Sequence, residues 1–341
     1  MGITSRYMIA AAAGRGLASY TRALGIDLNP LASALDLDPA DFQTTAAQVE
    51  MDHFSRLLEV LATVSGDDCF GLHYGQVYKL GDSGALGFAL ANAQDLRTAI
   101  QVYAKYISLF VDHAYFEVKT GVESCVIEWH YSPLIRKTEQ FADFGVMLTF
   151  RHFQLHAGVD VFPSEIHVER SMPKSTLNHR KLLTSNVIFN SPVNRLVFSS
   201  VNFDSSNAGA DPRLFEMACA QCDQYLKAIA KPKALVPSVK EKILALLSLG
   251  EATLPSVSRQ IGLGSRTLQR RLAAEGASFE KLVEESRKEL SDRLLADTGF
   301  GISDIAYRCG YSTVSAYSRA VKAWHGRPPA RHRKQERSLL S

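Results

Sequence analysis

The sequence has few cysteines and no long apolar run. Its five cysteines are scattered along 341 residues, which excludes a disulfide-built scaffold and is typical of a reducing compartment. No stretch is long and apolar enough to cross a bilayer. The apolar run from Tyr7 to Ala13 is too short for a signal peptide and is followed by Gly14 and Arg15, which favours a buried helix. We therefore expect a cytoplasmic protein with no membrane partner.

Motifs of the common enzyme classes are also missing. The sequence has no G-x-S-x-G nucleophile elbow, no Gly-rich phosphate loop and no metalloprotease helix motif, and its ten histidines show no metal-ligand spacing. Cys219 and Cys222 form a C-x-x-C pair, but no second ligand pair follows, and a zinc site needs four ligands. We expect no enzymatic activity, cofactor or metal, and interpret the pair as helix packing, with a redox sensor as the alternative.

Charge is unevenly distributed along the chain, whose net charge is +3. From Lys233 to the end, about 19 Lys and Arg stand against about 11 Asp and Glu, a net charge of about +8. The preceding residues carry a net charge of about −5. A basic C-terminal part behind an acidic N-terminal part predicts that only the C-terminal part contacts phosphates.

Hydrophobic periodicity predicts a mixed fold for the N-terminal part. Helical spacing predicts helices over 6–24, Met51–Ser65 with Asp52 as its cap, 96–111, 141–157, and from 212 to about 230. Alternation predicts strands over Tyr115–Thr120, 123–131, 165–169, 187–189 and 195–198, the first two forming a hairpin. We expect an α+β domain in which helices cover a sheet, with room for a small-molecule pocket.

No residue type marks the walls of such a pocket. Aromatic and histidine side chains can line a pocket or belong to the core, and core is the commoner role. Seven residues could either line a pocket or belong to the core: His73, Tyr74, Tyr103, Tyr106, His113, Trp129 and His130. The sequence therefore leaves the effector-binding residues unknown.

Two helix-turn-helix patterns stand in tandem near the C-terminus, over 254–276 and 302–326. In each, a short apolar helix, a Gly-containing turn and a second helix with Arg and small polar residues follow one another. The second helix of such a unit fits into the DNA major groove. A long amphipathic helix over 279–296 separates the units, so one chain is expected to contact two successive major grooves, ideally about 34 Å apart.

The first pattern predicts a supporting helix over 255–261 and a recognition helix over Ser265–Ala274. Leu268 and Leu272 are four residues apart and face the core, which turns the opposite face towards DNA. Arg can donate two hydrogen bonds to guanine, and Gln can form two with adenine. The predicted DNA-contacting residues of this helix are Ser265, Arg266, Thr267, Gln269 and Arg270.

The second pattern predicts a helix from 314 to about 324 that is capped by Thr313. Its apolar residues Tyr317, Val321 and Trp324 are assigned to the core. Its exposed face has less charge than that of the first unit. This indicates that the helix positions the protein on the DNA backbone more than it reads base edges. The predicted DNA-contacting residues here are Val314, Ser315, Ser318, Arg319 and Lys322.

The C-terminal region resembles the AraC/XylS family of bacterial transcription regulators. The resemblance lies in RTLQRRLAAEG, the helix SFEKLVEESRKELSDRLLADT, ISDIAYRCGYS, SAYSRAVKAWHG and the closing PPARHR. The N-terminal part is similar to the arabinose-binding-type effector and dimerisation domain of one AraC subfamily, which includes ornithine and arginine regulators. That similarity lies in RALGIDLNPL, DDCFGLHYGQ, GDSGALGFALANAQDLRTAI and NRLVFSS.

Several positions depart from the pattern that the family has. Gly264 stands where the family has Ser before the first recognition helix, and Gly is a slightly weaker cap. The family commonly has an acidic residue at Thr313, Pro at Val314 and Phe at Val321. A Tyr near the end of the domain is replaced by His332. These departures predict a different DNA sequence preference without loss of DNA binding.

The resemblance implies a bacterial, nucleoid-associated DNA-binding regulator, an activator controlled by a small molecule. We predict an effector-binding and dimerisation domain over 1–205, a helical linker over 206–236, where Pro residues mark the boundary, and an all-α DNA-binding domain over 237–341. The partners are then double-stranded promoter DNA, an effector of unknown identity, RNA polymerase and a second copy of the chain. The alternatives are a constitutive dimeric regulator without ligand, and an enzyme-derived sensor domain fused to a DNA-binding domain.

Overall fold

The computed structural model describes residues 7–44, 47–112, 115–133, 135, 138–154, 162–183, 186–199, 203–204, 206–229, 234–297 and 300–340. They fall into two compact units. The larger unit lies within 6–130 and 137–231, and the smaller lies mainly within 232–341. In the described part of the chain, no helix is both long and apolar enough to span a membrane.

The larger unit combines helices with two sheets. Its helices are α1 Leu17–Ala23, α2 Leu28–Ser33, α3 Met51–Ser65, α4 Phe70–Val77, α5 Ala85–Ala91, α6 Leu96–Tyr106, α7 Glu139–Gln154, α8 Leu177–Leu182 and α9 Pro212–Ile229. Its strands are β1 Met8–Ala10, β2 Gln48–Glu50, β3 Tyr115–Thr120, β4 Ser124–His130, β5 Glu165–His167, β6 Val187–Ile188 and β7 Asn194–Ser199.

The main sheet has the strand order β3-β4-β7-β5-β6. All neighbouring strands are antiparallel except β5 and β6. The predicted hairpin forms in register, with Tyr115 opposite His130 and Thr120 opposite Cys125. Cys125, Ile127 and Trp129 alternate along β4 and are all buried, so one face of the sheet belongs to the core. The predicted α+β architecture is confirmed.

Helix α7 forms the centre of the larger unit and packs on α3, α4 and β7. Most of its residues are buried, including Phe141, Phe144 and Phe150, as its apolar composition predicts. Helix α4 lies very close to α7 because Gly71 and Gly75, one helical turn apart, face it. A Cβ on Gly71 would lie 1.9 Å from the carbonyl oxygen of Gln140, so only glycine fits there.

Three predictions about local structure were partly wrong. Residues 7–24 are not one helix, because β1 pairs with β2, a 3-10 turn over Ala11–Gly14 follows, and α1 begins only at Leu17. The pairing of β1, a tertiary contact, overrides local helix propensity here. Asp52 lies inside the first turn of α3, since Glu50 occupies the cap position. The helix predicted over 96–111 ends at Tyr106 and continues only as a short 3-10 turn.

The smaller unit is helical throughout its described part. Its helices are α10 Leu235–Leu247, α11 Leu254–Ile261, α12 Ser265–Ala274, α13 Phe279–Asp297, α14 Ile302–Arg308, α15 Val314–His325 and α16 Pro329–Leu340. The long helix α13 packs on α10, α14, α15 and α16 through buried leucines. Leu282, Leu290, Leu294 and Leu295 are buried as predicted, whereas Val283 is only half-buried. The all-α domain with two helix-turn-helix units joined by a long helix is confirmed.

Candidate nucleic-acid interface and effector cavity

The first helix-turn-helix unit consists of α11 and α12. The Thr253 side chain accepts a hydrogen bond from the Ser256 backbone N–H (3.3 Å) and so caps α11. Gly262, at a φ of +72°, ends α11 in the left-handed region, and Gly264 begins α12 without a side-chain cap. The predicted helix bounds are confirmed to within one residue. Local capping therefore sets the angle at which α12 leaves the turn.

Helix α12 has one buried and one exposed face. Leu268 and Leu272 are fully buried against the unit's core. Arg266, Gln269 and Arg270 are exposed on the other side, and Ser265 and Thr267 at its N-terminal end are half-buried. The helix can therefore lie in a groove with its polar side chains available to a ligand.

The second helix-turn-helix unit consists of α14 and α15. Gly310, at a φ of +75°, forms the turn, and its backbone lies so close to α10 that a Cβ would be 2.8 Å from the Leu247 carbonyl oxygen. Thr313 accepts a hydrogen bond from the Ala316 N–H (3.2 Å), which confirms the predicted cap. Val314, Ser315, Arg319 and Lys322 are exposed on α15, and Ser318 is half-buried.

The core of the second unit differs from the prediction at one residue. Tyr317 and Val321 are fully buried, but Trp324 is only half-buried. The indole N–H of Trp324 donates to Glu284 Oε1 on α13 (3.2 Å), because an indole needs a partner for its N–H and finds it near the surface. Burial raises the pKa of Tyr317, so its hydroxyl stays protonated and shares a hydrogen bond with Ser291 Oγ (2.8 Å).

Four Arg and Lys side chains on the two recognition helices have no ion-pair partner among the residues that the structure describes. Within the described part of the chain, no carboxylate forms an ion pair with Arg266, Arg270, Arg319 or Lys322. By contrast, Lys240 on α10 is held by Glu285 (2.6 Å) and Glu289 (3.5 Å) of α13. The charges on the recognition helices are thus available for phosphates and base edges, whereas that of Lys240 holds two helices together.

The larger unit contains a cavity of about 550 Å³ next to α9. Apolar side chains from several elements form most of its wall, namely Leu86, Phe88, Leu109, Phe110, Leu214, Met217, Cys222 and Tyr225. Asp82, Ser83 and Gln221 add polar groups. On α9 the lining residues stand at 214, 217, 218, 221, 222 and 225, a helical stripe that was visible in the sequence and whose significance the prediction missed.

Of the residues with two alternative roles, Tyr74, Tyr103, Tyr106, Trp129 and His130 are buried and His73 is half-buried, and none of these six lines the cavity. Tyr74 is fully buried and donates to the Ala13 carbonyl (2.7 Å), and Tyr103 shares a hydrogen bond with Thr149 Oγ1 (2.9 Å). Trp129 is buried, and His130 pairs with Glu169. The Tyr106 hydroxyl donates to Asp223 Oδ1 (2.9 Å). The hydrogen bond that His73 Nδ1 donates to Asp67 raises the pKa of His73. His113 lies outside the described residues.

Cys219 and Cys222 lie one turn apart on α9, as their spacing predicts. Cys222 is fully buried and Cys219 is partly exposed. Burial raises the pKa of the Cys222 thiol to about 12, so this group stays protonated at neutral pH. Since the thiolate is the reactive form of cysteine, packing accounts for Cys222 better than redox chemistry does.

A buried polar cluster ties α4, α7 and α8 together. Asp143 accepts hydrogen bonds from Arg170 Nη1 and from His179 Nε2, the latter at 2.9 Å. Cys69 Sγ lies 3.8 Å from His179 Nδ1. This order of groups resembles a cysteine-hydrolase triad, but all the side chains are buried, and burial raises the pKa of the Cys69 thiol. The cluster therefore fits a structural role, because a nucleophile must be accessible and ionised.

Comparison with known proteins connects both units to one kind of regulator. Residues 25–206, more than half of the chain, match the family described as "Arabinose-binding domain of AraC transcription regulator, N-term". Residues 257–335 match a helix-turn-helix domain family. The chain belongs to the AraC-type transcription regulators. It is therefore a DNA-binding transcription regulator with an arabinose-binding-type effector domain, and the resemblance found in the sequence is confirmed.

Relatives of this AraC-type regulator match it over nearly its whole length. The regulator VirS of Mycobacterium tuberculosis is 25% identical over 93% of this chain and 94% of its own. The ornithine utilization regulator of Pseudomonas aeruginosa is 22% identical over 91% of each chain. The crystal structure of the transcriptional regulator CdpR from P. aeruginosa covers 90% of this chain and 96% of its own, with 18% identity and a TM-score of 0.43.

Proposed function

We propose that this regulator activates transcription when a small molecule binds its N-terminal domain. The proposed division is an effector-binding and dimerisation domain over 1–205, a helical linker over 206–236 and a DNA-binding domain over 237–341. The observation that carries the proposal is the pair of recognition helices whose cations have no carboxylate partner among the described residues. The ligand must bind the active conformation more tightly than the inactive one, since otherwise it shifts no equilibrium.

The proposed DNA contacts are the residues on the exposed sides of α12 and α15. The side chains of Arg266, Gln269 and Arg270 are long enough to reach base edges. Most side chains on the exposed face of α15 are shorter, which suits contacts that position the helix on the DNA phosphates. The full set is Ser265, Arg266, Thr267, Gln269, Arg270, Val314, Ser315, Ser318, Arg319 and Lys322.

Replacing Arg270 with alanine is expected to lower the affinity for a specific operator by about tenfold to a hundredfold. The variant loses a bidentate base contact, while Leu268 and Leu272 keep the helix in place. Electrophoretic mobility shifts at several salt concentrations measure the effect. Arg22→Ala, which removes an exposed Arg from α1, is the matched control and should bind like wild type. An unchanged footprint for Arg270→Ala would remove this residue from the interface.

We propose that the cavity whose wall the domain over 1–205 shares with α9 of the proposed linker binds the effector, a small molecule with an apolar body and a polar end. The cavity is within the range of small-molecule sites, and its walls combine many apolar side chains with a few polar ones. Asp82, Ser83 and Gln221 would orient the polar end. A sugar, which is polar on most sides, would fit this lining poorly.

Filling the cavity by Ala85→Trp is expected to abolish stabilisation by the effector. A thermal-shift screen of amino acids, fatty acids and aromatic acids identifies the effector, which should raise the stability of wild type by about 2.7 kcal/mol at a hundredfold excess over Kd. Ala220→Trp adds the same side chain to an exposed position of α9 outside the cavity and should keep the response. An equal response in both variants would place the effector elsewhere, and no stabilisation by any compound would favour a constitutive regulator.

We further propose a cytoplasmic homodimer that recruits RNA polymerase, with four helix-turn-helix units on two half-sites. Genome-wide affinity sequencing of the purified full-length protein on its host's DNA tests this arrangement. A few strong sites with two-part motifs upstream of catabolic genes are expected. Single half-sites would contradict the dimer, and binding without a motif would contradict the assignment of the recognition helices.

A further inference from the structure

Three side chains that can ligate a metal ion meet in the smaller unit. They belong to three different helices, with Asp292 on α13, His325 at the end of α15 and His332 on α16. One ligand atom from each lies within 4.8 Å of the other two. In the described part of the chain, this is the one group of three or more His, Cys, Asp or Glu side chains that comes so close.

The two imidazoles face the same carboxylate oxygen. Nε2 of His325 lies 2.7 Å from Oδ1 of Asp292, and Nε2 of His332 lies 3.4 Å from the same atom. The imidazole rings are stacked, with their centroids 3.9 Å apart and their planes 17° from parallel. A histidine binds a metal ion through a ring nitrogen, and here both Nε2 atoms converge on one carboxylate oxygen.

The point where the three side chains meet is largely buried. Nε2 of His325 and Oδ1 of Asp292 are buried atoms that lie 2.7 Å apart. His332 is 5% exposed, so the group is closed on one side, while the Asp292 side chain is 37% exposed on the other.

We propose that Asp292, His325 and His332 bind a divalent transition-metal ion, preferably Zn²⁺. Two imidazoles and one carboxylate are ligands that Zn²⁺ commonly takes, with a water in the fourth position. Ligand atoms about 2.0–2.1 Å from a tetrahedral ion are about 3.3 Å apart. The distance from His332 to Asp292 already fits, and that from His325 to Asp292 must open by about 0.6 Å. The exposed side of Asp292 leaves room for the water.

The position of the site gives the ion a structural consequence. His325 is the last residue of α15, and Gly326 then ends that helix in the left-handed region. A bound ion would join the end of this helix to the long helix α13 and to α16. It would thus hold the second recognition helix in one orientation, and metal binding should raise both the stability of this unit and its affinity for DNA.

A Zn²⁺ titration of the full-length protein tests the proposal. The protein is first freed of metal with a chelator, and Zn²⁺ is then added in competition with a chromophoric chelator. We expect one ion per chain at this site, bound with micromolar or tighter affinity, and an unfolding midpoint that rises with Zn²⁺. Asp292→Asn, which keeps the shape of the side chain, and His332→Tyr should each weaken binding by at least about tenfold. His53→Gln in the larger unit is the matched control and should bind Zn²⁺ like wild type.

The Cys219 and Cys222 pair could also take up Zn²⁺, and two measurements separate it from the proposed site. Cys219→Ser should leave the affinity unchanged. With Co²⁺ as the probe, wild type should show d–d bands without a thiolate-to-cobalt charge-transfer band, a readout that does not depend on how the variants fold. The proposal would be overturned if wild type took up no Zn²⁺, or if Asp292→Asn bound it as tightly as wild type. Loss of binding in Cys219→Ser, or a thiolate-to-cobalt band in wild type, would overturn it as well.

Discussion

Replacing Asp143 with alanine is expected to destabilise the larger unit by about 3–5 kcal/mol. Asp143 is 1% exposed and is the nearest anion to the equally buried guanidinium of Arg170. Burial lowers the pKa of Arg170, but the nearby carboxylates of Asp143 and Asp68 together more than offset this, and the group stays charged. Without Asp143, a buried positive charge loses its main partner, and His179 loses the acceptor of its Nε2 hydrogen bond.

Urea unfolding followed by circular dichroism measures this loss against a typical total stability of about 5–15 kcal/mol. Asp204→Ala is the matched control, because it removes an exposed carboxylate that pairs with Arg97 at 2.7 Å, and its midpoint should stay that of wild type. Asp143→Leu combined with Arg170→Met should recover part of the stability, since replacing both members of a buried pair leaves no unpaired charge. Equal midpoints for Asp143→Ala and Asp204→Ala would contradict the structural role of the cluster.

Gly71→Ala is expected to destabilise the same unit by about 3 kcal/mol or more, although it adds a single methyl group. That methyl carbon would lie 1.9 Å from the carbonyl oxygen of Gln140 and 2.7 Å from its carbonyl carbon. Backbone atoms cannot rotate away as a flexible side chain would, so α4 must move off α7. Gln140 also accepts a hydrogen bond from the Gly71 N–H through Oε1 (2.9 Å), which the displacement would break.

Thermal unfolding measures the stability of Gly71→Ala, with Gly16→Ala as the matched control. Both variants add one methyl group, so the difference between them reports the steric clash. Gly16 has a φ of −83°, and a Cβ there would meet its nearest atom at 3.9 Å, an ordinary contact. Gly16→Ala should therefore change the stability by less than about 0.5 kcal/mol. A similarly small change for Gly71→Ala would mean that the two helices are farther apart in solution.

The helix-turn-helix units could be predicted almost residue by residue because their structure depends on local signals. Leu268 and Leu272 at helical spacing, Thr313 before its helix, and Gly262 after α11 each act within a few residues of their own position. Trp324 was assigned wrongly because its burial depends on Glu284, which lies 40 positions away on another helix. Periodicity along one helix cannot reveal such a partner.

Features that depend on distant contacts were beyond the sequence. Helical spacing over 6–24 gave no sign that β1 pairs with β2. The cavity wall combines α9 with residues near Asp82 and Phe110, which no local pattern connects. Asp292, His325 and His332 likewise have no metal-ligand spacing along the chain, and only packing brings them together. The glycines of α4 were visible in the sequence, but their role depends on which helix lies opposite.

The strand order of the main sheet dictates the sequence of events as the protein leaves the ribosome. Strand β4 pairs with β7, and Arg195 reaches Glu128 across 67 positions, so the sheet cannot close until β7 has been synthesised. Closing such a long loop is slow, whereas a helical unit with neighbouring contacts folds quickly. The N-terminal part is thus made first yet must wait with apolar strands uncovered, and it is the part of the nascent chain that most needs protection from aggregation.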